Sequence, residues 1–305
     1  MRYTVVLTAE FPAIATSLLA PHFDVIAHPT EHGRTEEDMN TLLAEADAAI
    51  VLLSDPITRA VLEANPNLRL VSNFAVGYNN IDVDAARDLG VTVTNTPGVL
   101  TEATADLTMA LLLAVTRRIV EGDAEVRDSG RCEWEPLKLL GLSLQGKRLG
   151  IIGMGRIGTA VAARARAFGL EVVSAGRGDS LDELLATSDI VSLHVPLTRE
   201  TRHLINAATL ARMKPGAYLI NTSRGALVDE EALCDALESG HLRGAGLDVY
   251  EHEPDVNPRL RTMKNAVILP HIGSATDDAR NAMARIAATN VLLFLRGQEP
   301  LHRVV

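Results

Sequence analysis

The chain has 305 residues, 47% of them hydrophobic, and a formal net charge of −10 at pH 7. That length suits two domains with sizeable cores, and the acidic balance argues against nucleic-acid or anionic-membrane partners, so any small anion must be held by local cations. Cys132 and Cys234 are far apart and form no C-x-x-C pair, so neither a disulfide framework nor a thiolate zinc site is expected, and both read as buried, reduced thiols.

Met1 to Leu7 reads as a first strand and not as a signal sequence, and Leu107 to Val115 is too short an apolar run to span a bilayer. A soluble, cytoplasmic chain is expected. Strand patterns follow at Tyr3–Thr8, Asp24–Ala27, Ala48–Leu53, Arg69–Asn73 and Val91–Thr94, with helical patterns between them at Glu36–Ala46 and Asp82–Leu89. Such alternation implies a parallel sheet. His22, His28 and His32 sit among Pro21, Pro29 and Gly33, as surface-loop histidines do, and no metal site is expected there.

Thr96-Pro97-Gly98 punctuates the chain like a hinge, and one long helix is expected from about Thr101 to Val126. The polar segment Glu121–Gly146 fits neither sheet and carries the single tryptophan, Trp134. It reads either as an arm that packs on a second subunit, giving a homodimer, or as a segment whose tryptophan fills the core of one subunit.

The apolar run Arg148–Ile152 then breaks into Gly153-Met154-Gly155-Arg156-Ile157-Gly158 and restarts as an alanine-rich helix. This is the strand–turn–helix setting that a G-x-G-x-x-G pyrophosphate site requires: Gly153 for the turn, Gly155 for close approach of the anion, Gly158 for packing of helix on strand. A second alternation follows, with strands at Glu171–Ser174, Ile190–His194, Ala217–Asn221, Gly244–Asp248 and Ala266–Leu269. A final helix, Thr276–Arg296, is long enough to return to the first domain. The expected domains are therefore residues 1–98 with 277–305, holding the substrate, and residues 99–276, holding the dinucleotide, with the arm at 99–146.

In an NAD site the second strand commonly ends in Asp or Glu roughly 20 residues beyond the glycines, to accept from the ribose hydroxyls. Here it ends Ser174-Ala175-Gly176-Arg177. A carboxylate would repel a 2′-phosphate, whereas Ser174 and Arg177 suit one, so NADP(H) is expected to be preferred. Asp179 leaves NAD(H) possible.

Arg224, Glu253 and His271 each follow the end of a successive strand, on the sheet edge that also carries the glycine loop. A cation, an acid and a histidine can converge there. Together with Gly153–Gly158, the blocks His194-Val195-Pro196, Asn221–Gly225, Gly246–Val249, Glu253-Pro254 and Pro270–Thr276 resemble the signatures of the D-isomer-specific 2-hydroxyacid dehydrogenases. Ala75–Asp82, Leu53–Asp55 and Asn95–Leu107 most resemble the glyoxylate/hydroxypyruvate reductase branch.

That resemblance implies two doubly wound α/β domains, a Rossmann domain inserted into a flavodoxin-like substrate domain. It also implies an oxidoreductase that reduces a small 2-keto acid by hydride transfer from NAD(P)H. It gives Arg224 the keto acid's carboxylate and carbonyl, His271 the role of proton donor and Glu253 that of orienting partner to the histidine. Backbone near Val76 and Gly77, the apolar wall Leu53 and the Trp134 of a second subunit are implied around the substrate. Thr104, Gly153, Gly155, Arg156, Ile157, Gly158, Ser174, Gly176, Arg177, His194, Pro196, Thr222, Asp248 and Gly273 are implied at the cofactor. His252 competes with His271 for the acid role but precedes the Glu-Pro of the motif.

Phosphoglycerate dehydrogenases are similar too, but no Lys or Arg stands around Leu53–Asp55 or Asn73–Ala75 to receive a phosphate. A D-lactate-type acid, formate or phosphite remain as other substrates, and a dinucleotide-sensing corepressor as a non-enzyme alternative. One departure from the family is a short connection from Gly176 to Leu181, which weakens the expected hold on the adenosine phosphate.

Overall fold

Strand and helix alternate from the N-terminal end, each helix start marked by a side-chain cap where the sequence supplies one. The computed structural model describes residues 2–305. The first elements are β1 (Thr4–Leu7), α1 (Ile14–Leu19), β2 (Asp24–Ala27), α2 (Glu36–Leu43), β3 (Ala48–Val51), α3 (Arg59–Ala64), β4 (Leu70–Asn73), α4 (Val83–Leu89) and β5 (Thr92–Thr94). Thr35 and Asp38 form a reciprocal capping box at the start of α2. Asp82 caps α4, which Gly90 ends in the left-handed region at φ 72°.

All five strands pair in parallel in the order β2-β1-β3-β4-β5, the flavodoxin-like arrangement. Val6, Ala49, Val51, Val71 and Val93 face a core shared with Met39, Leu43, Val61 and Ala85.

The chain continues through α5 (Thr101–Thr116), α6 (Ile119–Ser129), β6 (Arg148–Ile152), α7 (Arg156–Ala167), β7 (Glu171–Ala175), α8 (Asp182–Thr187), β8 (Ile190–Leu193), α9 (Ala207–Arg212), β9 (Ala217–Asn221), α10 (Glu230–Glu238), β10 (Leu242–Leu247) and β11 (Ala266–Ile268). These strands form a second parallel sheet, ordered β11-β10-β9-β8-β6-β7, with the chain reversing direction across the sheet between β6 and β8. Two strands, β6 and β7, make up the half where a Rossmann sheet commonly has three. The short connection from Gly176 to Leu181 leaves no room for another, so β7 is an edge strand.

One face of this sheet packs on α5 and α7, through Leu111, Leu112, Val161 and Ala165. The other packs on α8, α9 and α10, through Leu185, Leu210 and Leu233. Each such buried leucine contributes about 1.5–3 kcal/mol relative to an exposed one.

The last helix, α11 (Asp277–Leu295), returns to the first sheet, where Ser72 Oγ donates to Ala287 O at 3.2 Å. The chain beyond it pairs with β5: Val304 N donates to Val93 O at 2.7 Å and Val93 N to Val305 O at 3.2 Å. The chain thus divides into two units, one ending at Leu100 and resuming over Ala275–Val305, the other Thr101–Ser274. Among the described residues no helix is long and apolar enough to cross a membrane.

Two expectations need correction, and one open alternative is decided. The single helix expected over Thr101–Val126 is two, because Arg118 takes a left-handed φ of 54° and Leu142 N donates to the Thr116 carbonyl at 2.8 Å, closing the end of α5. Cys132 is exposed, and only Cys234 is buried, with its thiol pushed up to about 11 chiefly by that burial. Trp134 is 85% exposed and fills no core within the chain, because the segment carrying it lies on the outside of its unit.

Candidate active site

β6 ends at Ile152, and the glycine turn follows. Gly153 adopts φ 100°, and a Cβ there would stand 2.7 Å from His194 O, so turn and close approach both require glycine. At Gly158 a Cβ would fall 2.1 Å from Gly153 O, whereas at Gly155 it would meet open space. Gly155 precedes α7 without a side-chain cap, leaving the first N–H groups of the helix for an anion. A turn that is open only on its anion-facing side fits a dinucleotide pyrophosphate, with Arg156 and Ile157 in the first helical turn.

At the end of β7, Ser174, Gly176 and Arg177 are exposed, and Asp179 Oδ2 accepts from Gly176 N at 2.8 Å. His194 lies just beyond β8, Nε2 2.9 Å from Ser192 Oγ; burial lowers its pKa to about 4, so the ring is neutral at pH 7. Pro196, two residues on, is exposed.

Arg224 leaves the end of β9 on a loop tied by Asn221, whose Oδ1 accepts from Ser223 N at 3.0 Å and whose Nδ2 donates to Arg224 O at 2.8 Å. Ser223 Oγ donates to Val195 O at 2.7 Å, linking this loop to the one after β8. Gly225 is obligatory, since a Cβ would fall 1.8 Å from the Tyr250 carbonyl carbon. That contact seats the Arg224 loop directly on the loop that carries Glu253.

Glu253 uses both oxygens: Oε1 accepts from Tyr250 N at 2.9 Å and Oε2 lies 2.8 Å from His271 Nδ1. Burial alone would raise this carboxyl, but the His271 hydrogen bond and charge, the Tyr250 N–H and the Arg224 charge together hold it below its ordinary value. Burial lowers the Arg224 pKa against the opposing pull of Glu253, and the guanidinium remains a cation. With Nδ1 engaged, His271 has Nε2 left for chemistry.

His271 itself sits at φ 54°, uncommon for a residue with a side chain. Asp248 fixes that bend, accepting from Ile272 N and Gly273 N at 2.7 Å each. Thr104 Oγ1 donates to Gly273 O at 3.1 Å, and Thr108 Oγ1, whose hydrogen goes to Thr104 O, accepts from Thr222 Oγ1 at 2.8 Å. Thr104, Thr222, Asp248 and Gly273 therefore belong to one buried network beneath the His271 loop. Sequence reasoning missed Asn221, Tyr250 and Thr108. Asn221 opens the Asn-Thr-Ser-Arg-Gly block, a loop-tying asparagine three residues before the arginine; Tyr250 gives its main-chain N–H to Glu253 and its hydroxyl to Leu269 O at 2.7 Å, two residues before His271, partners that only the folded loops reveal.

His252 is in the turn before Glu253, where its carbonyl accepts from Asp255 N at 2.8 Å, and it makes no hydrogen bond to Glu253 among the described residues. In the other unit, Leu53 and Gly77 are half-buried in the loops after β3 and β4, as is Val76.

Residues 109–273 match the family model for the D-isomer specific 2-hydroxyacid dehydrogenase, NAD binding domain. The chain belongs to the D-isomer-specific 2-hydroxyacid dehydrogenase family. It is 44% identical to a glyoxylate reductase of Thermococcus litoralis, with 98% of this chain and 96% of that one aligned. A protein of Thermus thermophilus superposes with a TM-score of 0.93 at 47% identity, covering 99% and 100% of the two chains. An NADPH-dependent glyoxylate/hydroxypyruvate reductase of Sinorhizobium meliloti, solved with NADP and malonate, superposes at 0.86 with 32% identity, covering 100% and 97%. Like this family, the chain is an NAD(P)-dependent oxidoreductase acting on a small 2-keto or 2-hydroxy acid.

Proposed function

We propose that the protein reduces glyoxylate or hydroxypyruvate to the 2-hydroxy acid, with NADPH the preferred reductant. The observation that carries this reading is the His271 Nδ1–Glu253 Oε2 pair at 2.8 Å, held beside the Arg224 loop through Gly225. Bound at Gly153–Gly158, the nicotinamide cofactor supplies the hydride. Arg224 offers a planar fork to the keto acid's carboxylate and carbonyl oxygen and polarises the C=O bond. Nε2 of His271 gives its proton to the oxygen that becomes the hydroxyl, while Glu253 orients the ring and balances the charge. Asp248 keeps the His271 loop bent.

The first unit is assigned to the substrate, with the main chain at Val76 and Gly77 receiving the carboxylate and Leu53 forming an apolar wall. Absence of Lys and Arg from Leu53–Asp55 and Asn73–Ala75 favours a small, unphosphorylated acid. The exposed Trp134, Leu137, Ile119, Val120 and Val126 form an apolar arm suited to a second copy of the chain, so a homodimer in which Trp134 caps the partner's pocket belongs to the same reading.

The cofactor preference rests on Ser174 and Arg177 at the end of β7. Asp179, tied to Gly176 N, is the competing feature and favours NAD(H). Initial rates of glyoxylate, hydroxypyruvate and pyruvate against NADPH and NADH test substrate and cofactor together. The expected result is fastest turnover with NADPH and one of the first two acids, and a raised KM for NADPH, but not NADH, in Arg177→Ala. Better use of NADH by the wild type, or an unmoved KM in Arg177→Ala, would reassign cofactor choice to Asp179. Tight dinucleotide binding without turnover of any 2-keto acid would point to a sensing protein.

A further inference from the structure

Under the loops Leu52–Asp55 and Ala75–Asn80 of the first unit lies a set of carboxamide side chains for which the reaction above has no role. Asn95 Nδ2 donates to Val76 O at 2.7 Å, and Asn73 Nδ2 to Gly77 O at 2.8 Å. The preceding carbonyl, Ala75 O, accepts from Thr96 N at 3.0 Å. Asn80 Nδ2 joins the loops, donating to Leu52 O and Asp55 O at 3.1 Å each and approaching Asn73 Oδ1 at 3.3 Å.

Below them Asp55 is fully buried: its Oδ2 accepts from Leu52 N at 2.8 Å and Thr8 Oγ1 at 2.5 Å, and its Oδ1 lies 3.5 Å from Arg34 Nη1. Three successive carbonyls, those of Ala75, Val76 and Gly77, are thus pinned. Because a trans peptide is planar, each following N–H points opposite to its pinned carbonyl. The N–H groups of Val76, Gly77 and Tyr78 are turned away from the network, and no main-chain hydrogen bond among the described residues of this unit takes them.

We infer that Asn73, Asn80 and Asn95 are positioning residues that orient these main-chain N–H groups toward the carboxylate of the 2-keto acid. This rests on the assignment of Val76 and Gly77 to that carboxylate under the proposed function. Neutral amides suit this role, because they fix the peptide planes without placing a charge beside the anion, and their action is independent of pH. Asn80 extends the effect to the Leu52–Asp55 turn and hence to Leu53. A buried amide with a purely structural role is available for contrast in the same unit: Asn65 Nδ2 donates to Val61 O at 2.8 Å and Asn40 Oδ1 at 3.3 Å, touching neither loop.

The test compares Asn95→Ala, the isosteric Asn95→Asp and Asn65→Ala in the full chain. Turnover kinetics are measured alongside calorimetric titration of the dinucleotide-loaded protein with oxamate, an unreactive 2-oxo acid mimic. Loss of orientation at one charge-assisted hydrogen bond should weaken oxamate and raise the keto-acid KM about tenfold in both Asn95 variants. Dinucleotide affinity and kcat should stay near wild type. Asn65→Ala should lower the thermal midpoint and leave KM and oxamate affinity unmoved. If Asn95→Ala does not fold, Asn95→Asp carries the same expectation.

Unchanged KM and oxamate affinity in a folded Asn95 variant would overturn the inference, as would an equal loss in Asn65→Ala. A wild type that binds oxamate without turning over any keto acid would overturn the proposed reaction alone, and the titration would still decide the inference. A wild type that does neither removes both.

Discussion

In both parallel sheets the loops at the C-terminal ends of the strands hold the candidate residues, but the two units equip those loops differently. In the second, Arg224, Glu253 and His271 carry or exchange charge, and the side chains of His271 and Glu253 remain 26% and 29% exposed. In the first, neutral carboxamides hold the loop carbonyls, and the charged pair that braces the Leu52–Asp55 turn, Arg34 and Asp55, is withdrawn to 3% and 1% exposure. The difference separates two kinds of work. Groups that give up or receive protons need access to the reactants, whereas groups that only hold peptide planes can be neutral and buried.

The largest effect should come from the exposed charges. His271→Gln is expected to lower kcat by roughly 10²–10⁴ while leaving the thermal midpoint near that of the wild type. A steady-state assay paired with a melting curve checks this, and a stability loss matching the activity loss would erase the contrast between the units. Asp55→Ala should act in the opposite sense. It removes the buried carboxylate partner of Arg34, leaving only the exposed Glu31 at 3.8 Å, and costs about 3 kcal/mol of stability, read from urea denaturation. An unfolding midpoint equal to that of the wild type, with kcat reduced, would place Asp55 in the chemistry instead.

A smaller effect sharpens the picture within the second unit, because His194 is titratable but half-buried. Its folded pKa, about 4, lies below the ordinary 6.5, so the unfolded chain binds the proton more readily. The stability that goes with the neutral ring is complete above pH 6.5 and is lost as pH falls toward about 4, on the order of 3 kcal/mol in all. His194→Gln should flatten the wild-type decline in urea midpoint between pH 7 and pH 4.5. Parallel declines in the two proteins would mean that other groups dominate.

What the amino-acid order revealed follows from how local each signal is. Gly153–Gly158 is legible because turn, anion approach and packing lie within six consecutive residues, and the five-strand alternation of the first unit is legible because each strand is a short apolar run between turn residues. Arg224, Glu253 and His271 are legible as strand-end residues in fixed order, and the structure brings Glu253 and His271 into direct contact. The break at Arg118 is not legible: apolar residues continue across it, and the chain that closes α5 is Leu142, far along the sequence.

The outward position of Trp134 is half legible, since the polar segment around it suggests an arm whereas the residue type alone suggests burial. The amides Asn73, Asn80 and Asn95 give no signal as a group, because their partners are main-chain carbonyls whose directions depend on the folded loops. The short connection after Gly176 foreshadows the missing third strand of the β6 half, although its consequence, an edge strand at β7, requires the sheet.

The return of α11 has a consequence for the order of events during synthesis. The second unit is continuous in sequence and has all its strands as soon as β11 leaves the ribosome. The first unit makes its five strands earliest, yet Ser72 awaits Ala287, 215 residues later, and β5 awaits Val304 and Val305. Until then its sheet has one face covered only in part, by α1, and one edge unpaired, the condition under which nascent chains aggregate or recruit chaperones. Rotating the chain order, so that residues 277–305 are translated ahead of β1, would make this unit continuous and shorten that exposure.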